Sequence, residues 1–291
     1  MSSKIYFSDK EKRRLGVSRA LINISTRAYF NIAPKSAVKT ARKLFLTPAK
    51  AKNKNTTPGG MVTSDVMSAS GKIRVYRLGV GPTWVMAHGW SGSANQFFPL
   101  MEKVAAMGFT AVAYDQPAHG GSEGHEAHIP NMLAALKAVL GDVGDVEGLI
   151  CHSMGGSVSL HIADEVLQGK PCLLIAPALF YWKNAKNTVR RVGVHMSLYD
   201  AVINEVSREY NFLPSDFDPD QRLIEMSSPV TIVHDRNDKF APFEASEKAA
   251  LCSHINLIAT EGLGHGSIIK SDQVATAFRA LALPVHQKEI A

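Results

Sequence analysis

The sequence lacks the features that mark membrane-spanning, secreted and disulfide-rich proteins. It has no run of about 18 apolar residues, the length that a transmembrane helix needs. Its basic N-terminus is not followed by the apolar segment of a secretory signal. The 3 cysteines, an odd number without regular spacing, fit no disulfide framework. We therefore expect a cytoplasmic protein whose cysteines are reduced.

The larger part of the chain also lacks an excess of basic residues, although the net charge of the whole protein is +6. Residues 1–60 contain 14 lysines and arginines against 2 aspartates and glutamates, whereas the remainder contains 18 against 24. The basic segment shows no motif of a nucleic-acid-binding module, so we expect no nucleic-acid partner. We expect it to pack on the acidic remainder, with peripheral contact to an anionic membrane surface as the alternative.

The apolar pattern divides the chain into an N-terminal arm, residues 1–60, and a larger domain, residues 61–291. Hydrophobic residues make up 45% of the sequence, which is enough for a sizeable core. The arm is predicted to contain two basic helices and a polar linker. The first helix follows a capping box at Ser8–Glu11, and the second spans Pro34–Leu46.

In the larger domain, short buried strands alternate with helical patterns after a predicted hairpin at residues 62–78. This alternation favours an α/β fold with a mostly parallel central sheet and helices on both faces. It stops at about residues 178–227, where aromatic and basic residues accompany a helical pattern at Leu198–Tyr210. We interpret this interruption as a small helical cap inserted into the domain.

The stretch Leu149–Gly156, with the sequence LICHSMGG, is the strongest local signal for chemistry. A predicted strand at Val146–Ile150 leads into it, and one helical pattern leaves it and continues to Leu167. A serine at such a sharp strand-to-helix turn exposes its Oγ atom and needs small neighbours. The N-terminus of the helix would stabilise negative charge beside Ser153. Cys151 stands where the usual G-x-S-x-G pattern has its first glycine.

A serine nucleophile needs a general base, which a histidine supplies, and the histidine needs a carboxylate to fix its tautomer. The chain offers these groups in the order Ser153, Asp238 and His265, each after a predicted strand. The carboxyl ends of parallel strands lie along one edge of a sheet, so these side chains are expected to meet there. Asp235 is the alternative carboxylate, and the spacing to Pro242 favours Asp238.

Over residues 61–285 these motifs resemble those of the α/β-hydrolase superfamily, in particular serine hydrolases of the esterase and lipase type. The oxyanion-hole motif H-G-x is matched by His88-Gly89-Trp90, and the motif D-x-x-G-H-G-x-S is matched by residues 115–122. The acid motif H-G-x-x-D-x-x-x-P is matched by residues 234–242. The sequence departs from these motifs at three positions where the motif has a small residue. The residues found there are Cys151, Ala118 and Asp235.

The resemblance implies a serine hydrolase that cleaves a carboxylic ester, a thioester or a lipid ester through an acyl-enzyme intermediate. The backbone N–H groups of Trp90 and Met154 are then expected to form the oxyanion hole. The aromatic residues of the cap suggest a small apolar substrate, which Trp182 and Tyr199 are expected to bind. The histidines at positions 88 and 119 are expected to hold loops, and His152 to pack or hydrogen-bond locally.

The sequence gives no reason to expect a cofactor or a metal ion. The spacing of His119, His125 and His128 matches no common ligand pattern. Two alternatives to a cytoplasmic esterase remain at this point. One is a non-catalytic binding module with the same fold, and the other is a membrane-peripheral lipid hydrolase addressed by the basic arm.

Overall fold

The computed structural model of the protein describes residues 14–51 and 54–289. The predicted capping box at Ser8–Glu11 lies outside these residues. In the described residues the strands are β1 (Val62–Ser68), β2 (Gly71–Leu78), β3 (Thr83–Ala87), β4 (Thr110–Tyr114), β5 (Gly148–His152), β6 (Cys172–Ile175), β7 (Val230–Asp235) and β8 (Ile255–Thr260).

The helices fall into two groups by position. The arm and cap helices are α1 (Arg14–Ile32), α2 (Pro34–Leu46), α7 (Tyr181–Val192), α8 (Met196–Tyr210) and α9 (Pro219–Glu225). The helices next to the sheet are α3 (Phe98–Ala106), α4 (Ile129–Val143), α5 (Met154–Leu160), α6 (Ala163–Leu167), α10 (Phe243–Ala249), α11 (Gly264–Ser267) and α12 (Asp272–Glu289).

The strands form one sheet in the order β1-β2-β4-β3-β5-β6-β7-β8. The predicted hairpin is β1 and β2, and β2 also pairs antiparallel with β4. From β4 to β8 all neighbouring strands are parallel. Every residue of β5 and β6 is buried, as expected for central parallel strands covered on both faces. The chain therefore has the mostly parallel sheet that the alternation predicted, with strand ends β3, β5 and β7 along one edge.

Each face of the sheet has its own apolar core. On one face, α4 and α5 contribute Leu136 and Val158 among many buried residues. On the other face, α3 and α12 contribute Val104 and Phe278. These cores fix the positions of the strands, and thereby of the turns that follow them at the functional edge.

The arm packs against the cap and not against the sheet. Ala37, Ala41 and Leu46 of α2 share a third apolar core with α7 and α8 of the cap, which contribute Val189, Leu198, Val202 and Val206. The backbone of α1 also touches the turn between α7 and α8, where a Cβ atom on Gly193 would lie 2.8 Å from the Arg19 carbonyl oxygen. The arm and the cap are therefore one packed layer. The predicted domain boundary at residue 60 stays a prediction.

Ionic and polar contacts tie the arm to the rest of the molecule. Arg42 of α2 lies 2.8 Å from Glu126, which precedes α4, and 2.5 Å from Glu209 of the cap. Beyond α2, the side chain of Asn95 accepts hydrogen bonds from the backbone N–H groups of Lys54 and Asn55. The predicted polar linker is thus fastened to the larger domain near Asn55.

Among the differences between the structure and the predicted elements, three concern the region of the serine and the cap. Strand β5 runs to His152 and reaches the serine directly, two residues beyond its predicted end. The helical pattern after Ser153 is two short helices, α5 and α6, because the chain leaves the helical conformation at Ile162, where φ is −125° and ψ is 9°. Helix α7 was not predicted. It has many basic residues and few apolar positions, so its sequence shows little of the apolar pattern of a buried helix face. In the described residues no helix is both long and apolar enough to cross a membrane.

Candidate active site

Ser153 occupies the turn between β5 and α5 with a backbone φ of 51° and ψ of −124°. This left-handed conformation is unfavourable for a residue with a side chain, so tight packing must hold it. A Cβ atom on Gly155 would lie 2.3 Å from the carbonyl oxygen of Ala87, and one on Gly89 would lie 2.7 Å from the Cβ atom of Ser153. The two glycines therefore allow the strand ends to close around the serine.

The structure brings Ser153, His265 and Asp238 into one chain of hydrogen bonds. The hydroxyl of Ser153 lies 2.9 Å from Nε2 of His265. On the other side of the ring, Nδ1–H of His265 donates to Oδ2 of Asp238 over 2.6 Å. This arrangement fixes the tautomer of His265 and leaves Nε2 able to accept the proton of the serine.

Asp238 is held by donors from several directions. Nε2 of His234 lies 3.3 Å from the same Oδ2 atom, while the N–H groups of Phe240 and Ala241 donate to Oδ1. Burial alone would raise the pKa of Asp238, but the hydrogen bonds from His234 and His265 hold it well below its usual range. Asp238 is therefore a carboxylate at neutral pH. The support from His234 was not predicted, because a motif match does not reveal which side chains meet.

Asp235, the rival carboxylate, has different contacts. Its Oδ2 atom accepts hydrogen bonds from the hydroxyl of Thr260 and the N–H group of Leu263, at 2.9 and 2.8 Å. Its Oδ1 atom accepts from the N–H group of Asn237. Leu263 immediately precedes the short helix that carries His265, so Asp235 holds the end of β7 against the turn of the histidine.

His88 and His119 join the loop after β3 to the loop after β4. Nε2 of His88 accepts from the N–H group of Gln116 at 2.9 Å, and Nε2 of His119 accepts from that of Ser91 at 3.0 Å. The Nδ1–H group of each ring donates to a backbone carbonyl, Gly89 or Pro117. Burial lowers the pKa of His88 to about 4 and, with the neighbouring His88, that of His119 to about 3. Both rings are therefore neutral and fully bonded.

His152 makes a contact that is not local. Its Nε2–H group donates to the backbone carbonyl of His265 over 2.9 Å, and the two ring centroids are 4.7 Å apart. His152 was expected to pack or hydrogen-bond locally, whereas this bond joins two strand ends that are distant in sequence. Burial lowers the pKa of His152 to about 3, so that its ring is neutral.

The residues that depart from the family motifs leave the backbone of the site intact. The Sγ atom of Cys151 fits beneath α5, where it lies 3.2 Å from the hydroxyl of Ser159. Ala118 adopts a φ of 63° in place of a glycine, and its N–H group donates to the carbonyl of Glu123. The third departure, Asp235, supplies the carboxylate that holds the turn of His265.

A cavity of about 650 Å³ opens beside Ser153 and His265. Its wall includes Trp182 and Tyr199 of the cap, Trp90 of the loop after β3, and Met154. Met154 is the first residue of α5, so its N–H group has no partner within the helix. Most of the lining side chains are apolar, and none of them is an aspartate or glutamate. The cavity is therefore suited to an uncharged or anionic molecule with apolar parts.

In the part of the chain that the structure describes, no group of three or more His, Cys, Asp and Glu side chains could hold a metal ion. His119 and His128 use their ring nitrogens for other bonds, His119 to loop backbone and His128 to cap the start of α4.

The fold and the site together define the class of protein. The order of the strands, the serine at the turn after β5 and the histidine after β8 are those of an α/β hydrolase. The chain belongs to the Alpha/beta hydrolase family, whose sequence model matches residues 84–277. The resemblance and the fold class that were predicted from the motifs are thereby confirmed.

Solved structures with the same fold include several enzymes. The Pyrococcus furiosus esterase Pf2001 is 18% identical, with 81% of this chain and 96% of that chain covered at a TM-score of 0.62. A thermophilic esterase from Thermogutta terrifontis is also 18% identical, with 77% and 99% covered at 0.57. A membrane phospholipase A described as a bacterial virulence factor is 15% identical, with 95% and 99% covered at 0.58. At these identities the likeness shows the fold.

A comparison with curated protein sequences found no match.

Proposed function

We propose that the protein is a serine hydrolase that cleaves a carboxylic ester through an acyl-enzyme intermediate. The observation that carries this proposal is the chain of hydrogen bonds from Ser153 through His265 to Asp238, with the serine hydroxyl at an apolar cavity. Family membership and the esterases among the similar structures support it as well.

In the first half of the reaction, the Oγ atom of Ser153 attacks the carbonyl carbon of the ester. The proton of the hydroxyl passes to Nε2 of His265, and Asp238 stabilises the imidazolium that forms. Collapse of the tetrahedral intermediate breaks the bond to the alcohol oxygen, which takes that proton from His265. A water molecule then attacks the acyl-enzyme by the same route, releasing the carboxylic acid and restoring the serine.

The negative charge on the tetrahedral oxygen needs hydrogen-bond donors. We assign this role to the backbone N–H groups of Trp90 and Met154, because both residues line the cavity beside Ser153. One such donor lowers the barrier by about 3–4 kcal/mol. The neutral rings of His88 and His119 would keep the loop of Trp90 in place through their bonds to Gln116 and Ser91.

The apolar wall of the cavity, including Trp182 and Tyr199, favours a small ester with an apolar acyl or alcohol part. The same arrangement can also cleave a thioester or a lipid ester, because the nucleophile and the oxyanion donors act on the same carbonyl group. A graded panel of p-nitrophenyl esters and thioesters separates these substrate classes by the ratio of their kcat/KM values.

Covalent labelling tests the proposal directly. A fluorophosphonate should add to wild-type protein at one site, and the intact mass should show no addition to Ser153→Ala. A matched control is Ser215→Ala, which changes an exposed serine of the cap outside the cavity and should label like wild type. Equal labelling of Ser153→Ala and wild type contradicts the assignment of Ser153, whereas no labelling of wild type favours a binding module without catalysis.

One observation favours the alternative that the hydrolase works at a membrane surface. Leu21, Ile24 and Ile32 form one face of α1, and 62%, 65% and 83% of these side chains are exposed. Basic residues of the same arm, such as Arg27 of α1 and Lys35 of α2, are exposed as well. Basic amphipathic helices bind anionic lipid interfaces, so we propose peripheral membrane contact through this face as a second function of the arm.

A further inference from the structure

The hydroxyl of Tyr199 is buried in the cavity wall without a partner. Tyr199 lies on α8 and is only 6% exposed, and its ring lines the cavity that reaches Ser153. Its Oη atom has no hydrogen-bond partner among the described residues. A buried hydroxyl without a partner costs about 1–3 kcal/mol, so this group is expected to be retained for a ligand. Burial raises the pKa of Tyr199 to about 12, and the hydroxyl is therefore a donor at neutral pH.

Tyr199 belongs to the part of the cavity that the arm and the cap build together. Its ring packs in the core shared by these two segments, with its centroid 6.4 Å from that of Phe45. Phe45 and Leu46 of α2 also line the cavity, beside Val202 of α8. We call this region the arm–cap subsite. Because Phe45, Leu46 and Val202 are apolar, the Tyr199 hydroxyl is a group among them that can fix the orientation of a bound molecule.

The charged residues of the cavity lining limit which kind of atom can accept a hydrogen bond from the Tyr199 hydroxyl. The cavity lining contains no carboxylate that could accept the bond after a rotation of the side chain, and its cationic residues are Arg191 and Lys239. Hydroxyl and amide groups such as those of Thr188, Asn184 and Ser207 also line the cavity, but none of them is hydrogen-bonded to the Tyr199 hydroxyl. The acceptor that this hydroxyl lacks is then an oxygen atom of the bound molecule. The apolar surroundings require that this oxygen be carried on an otherwise apolar chain.

We propose that Tyr199 is a specificity-determining residue, and that the molecule bound in the arm–cap subsite has an apolar chain carrying an oxygen acceptor remote from its ester group. The description of the ligand as an ester rests on the function proposed above, whereas the pairing of the hydroxyl with a second oxygen does not. A ligand that lacks this oxygen leaves Tyr199 unpaired, which a site built for hydrogen bonding penalises strongly.

An oxygen scan along the chain tests the proposal. The probes are p-nitrophenyl octanoate and its analogues with one methylene, from the fourth carbon outward, replaced by an ether oxygen. A second series places the same replacements in the alcohol part of octyl acetate. In wild type, one position should raise kcat/KM about 10-fold over the plain ester, the effect of one neutral hydrogen bond. If wild type prefers no position in either series, the proposal is overturned, and no variant is needed for this conclusion.

Two variants of the same chemical change assign the preference to one hydroxyl. Tyr199→Phe should abolish the preference, so that the ratio of kcat/KM between the oxygen-containing ester and the plain ester falls to about one. Tyr210→Phe removes a hydroxyl from the same helix outside the cavity lining and should retain the preference. A preference that persists in Tyr199→Phe overturns the proposal.

Binding to Ser153→Ala separates this proposal from the proposed function. Dissociation constants for the same esters, followed through the fluorescence of cavity tryptophans such as Trp182, do not require hydrolysis. If wild type cleaves none of the esters but Ser153→Ala still binds the oxygen-containing analogue about 10-fold more tightly, the hydrolase assignment fails and the arm–cap subsite stands. If wild type hydrolyses the esters but neither kcat/KM nor the dissociation constants distinguish the oxygen-containing analogues from the plain ester, the hydrolase assignment stands and the proposal for the arm–cap subsite fails.

Discussion

Two aspartates at the end of β7 and in the turn after it, three residues apart, have separate tasks. Asp238 bonds the ring of His265, while Asp235 bonds the backbone of the turn that carries this ring. The sequence distinguished them only through the spacing to Pro242. Their contacts give the distinction a physical basis, because only one of the two carboxylates reaches Nδ1.

We expect Asp238→Asn to lower kcat by about 10⁴, because an amide at this position favours the wrong tautomer of the histidine. Asp235→Asn should cost about 10-fold in activity and should lower the melting temperature, since it weakens bonds to Thr260 and Leu263. Steady-state kinetics on one ester and thermal melts of both variants measure these effects. A larger loss of kcat in Asp235→Asn than in Asp238→Asn would contradict the assigned roles.

The motifs therefore predicted which residues come together, but not what holds them there. His152 and His234 contact the chain of hydrogen bonds from outside the predicted set. The partner of His152 lies after another strand and depends on how the sheet folds, whereas His234 meets Asp238 through the turn that follows its own strand. A linear pattern of residue types carries no information about either contact.

At the scale of elements, sequence signals were most accurate where chain-breaking residues stand at both ends. Helix α2 has its predicted bounds because Pro34 starts it and Pro48 follows it closely. Strand β3 also has the bounds that were predicted for it. Helix α7 was missed because its burial depends on the arm and the cap packing together, and only Val189 on it is fully buried. The pairing of two segments so far apart in sequence could not be predicted from either one.

The exposed face of α1 gives an element-scale prediction. Replacing Leu21, Ile24 and Ile32 together by serine should weaken sedimentation with vesicles of anionic phospholipid at least about 10-fold, because these side chains would lose burial in the lipid interface. The retained binding should decrease further with added salt, since the basic residues of the arm contribute electrostatically.

A matched control for this experiment replaces two equally exposed apolar residues of the larger domain, Val80 and Leu251, by serine. This control should sediment like wild type. If both variants and wild type sediment equally, or if none binds vesicles, the membrane function of the arm is wrong, and the face of α1 needs another explanation.

At the scale of the whole molecule, buried neutral histidines couple stability to pH. The pKa values of His88, His119 and His152 are lowered to about 4, 3 and 3 by burial, while an unfolded chain binds these protons near pH 6.5. Below that pH the unfolded state binds more protons than the folded state, so the free energy of unfolding falls as the solution is acidified. Each histidine contributes a loss of about 1.4 kcal/mol between pH 7.5 and pH 5.5.

Urea unfolding at a series of pH values measures this dependence. Between pH 7.5 and pH 5.5 the free energy of unfolding of His152→Gln should fall by about 1.4 kcal/mol less than that of wild type, which is one third of the loss that the three histidines cause. His125→Gln changes an exposed histidine and should leave the decrease as in wild type. A decrease of the same steepness in wild type and His152→Gln would show that His152 does not have a lowered pKa.

The core shared by α2, α7 and α8 has a consequence for how the molecule opens. Segments that bury the same apolar side chains lose protection from amide hydrogen exchange together, as one cooperative unit. The arm and the cap are distant in sequence, yet we expect their amide groups to exchange with solvent hydrogen in step. N-terminal residues that lie far from Ser153 along the chain would then contribute to the local stability of the segment that lines its cavity.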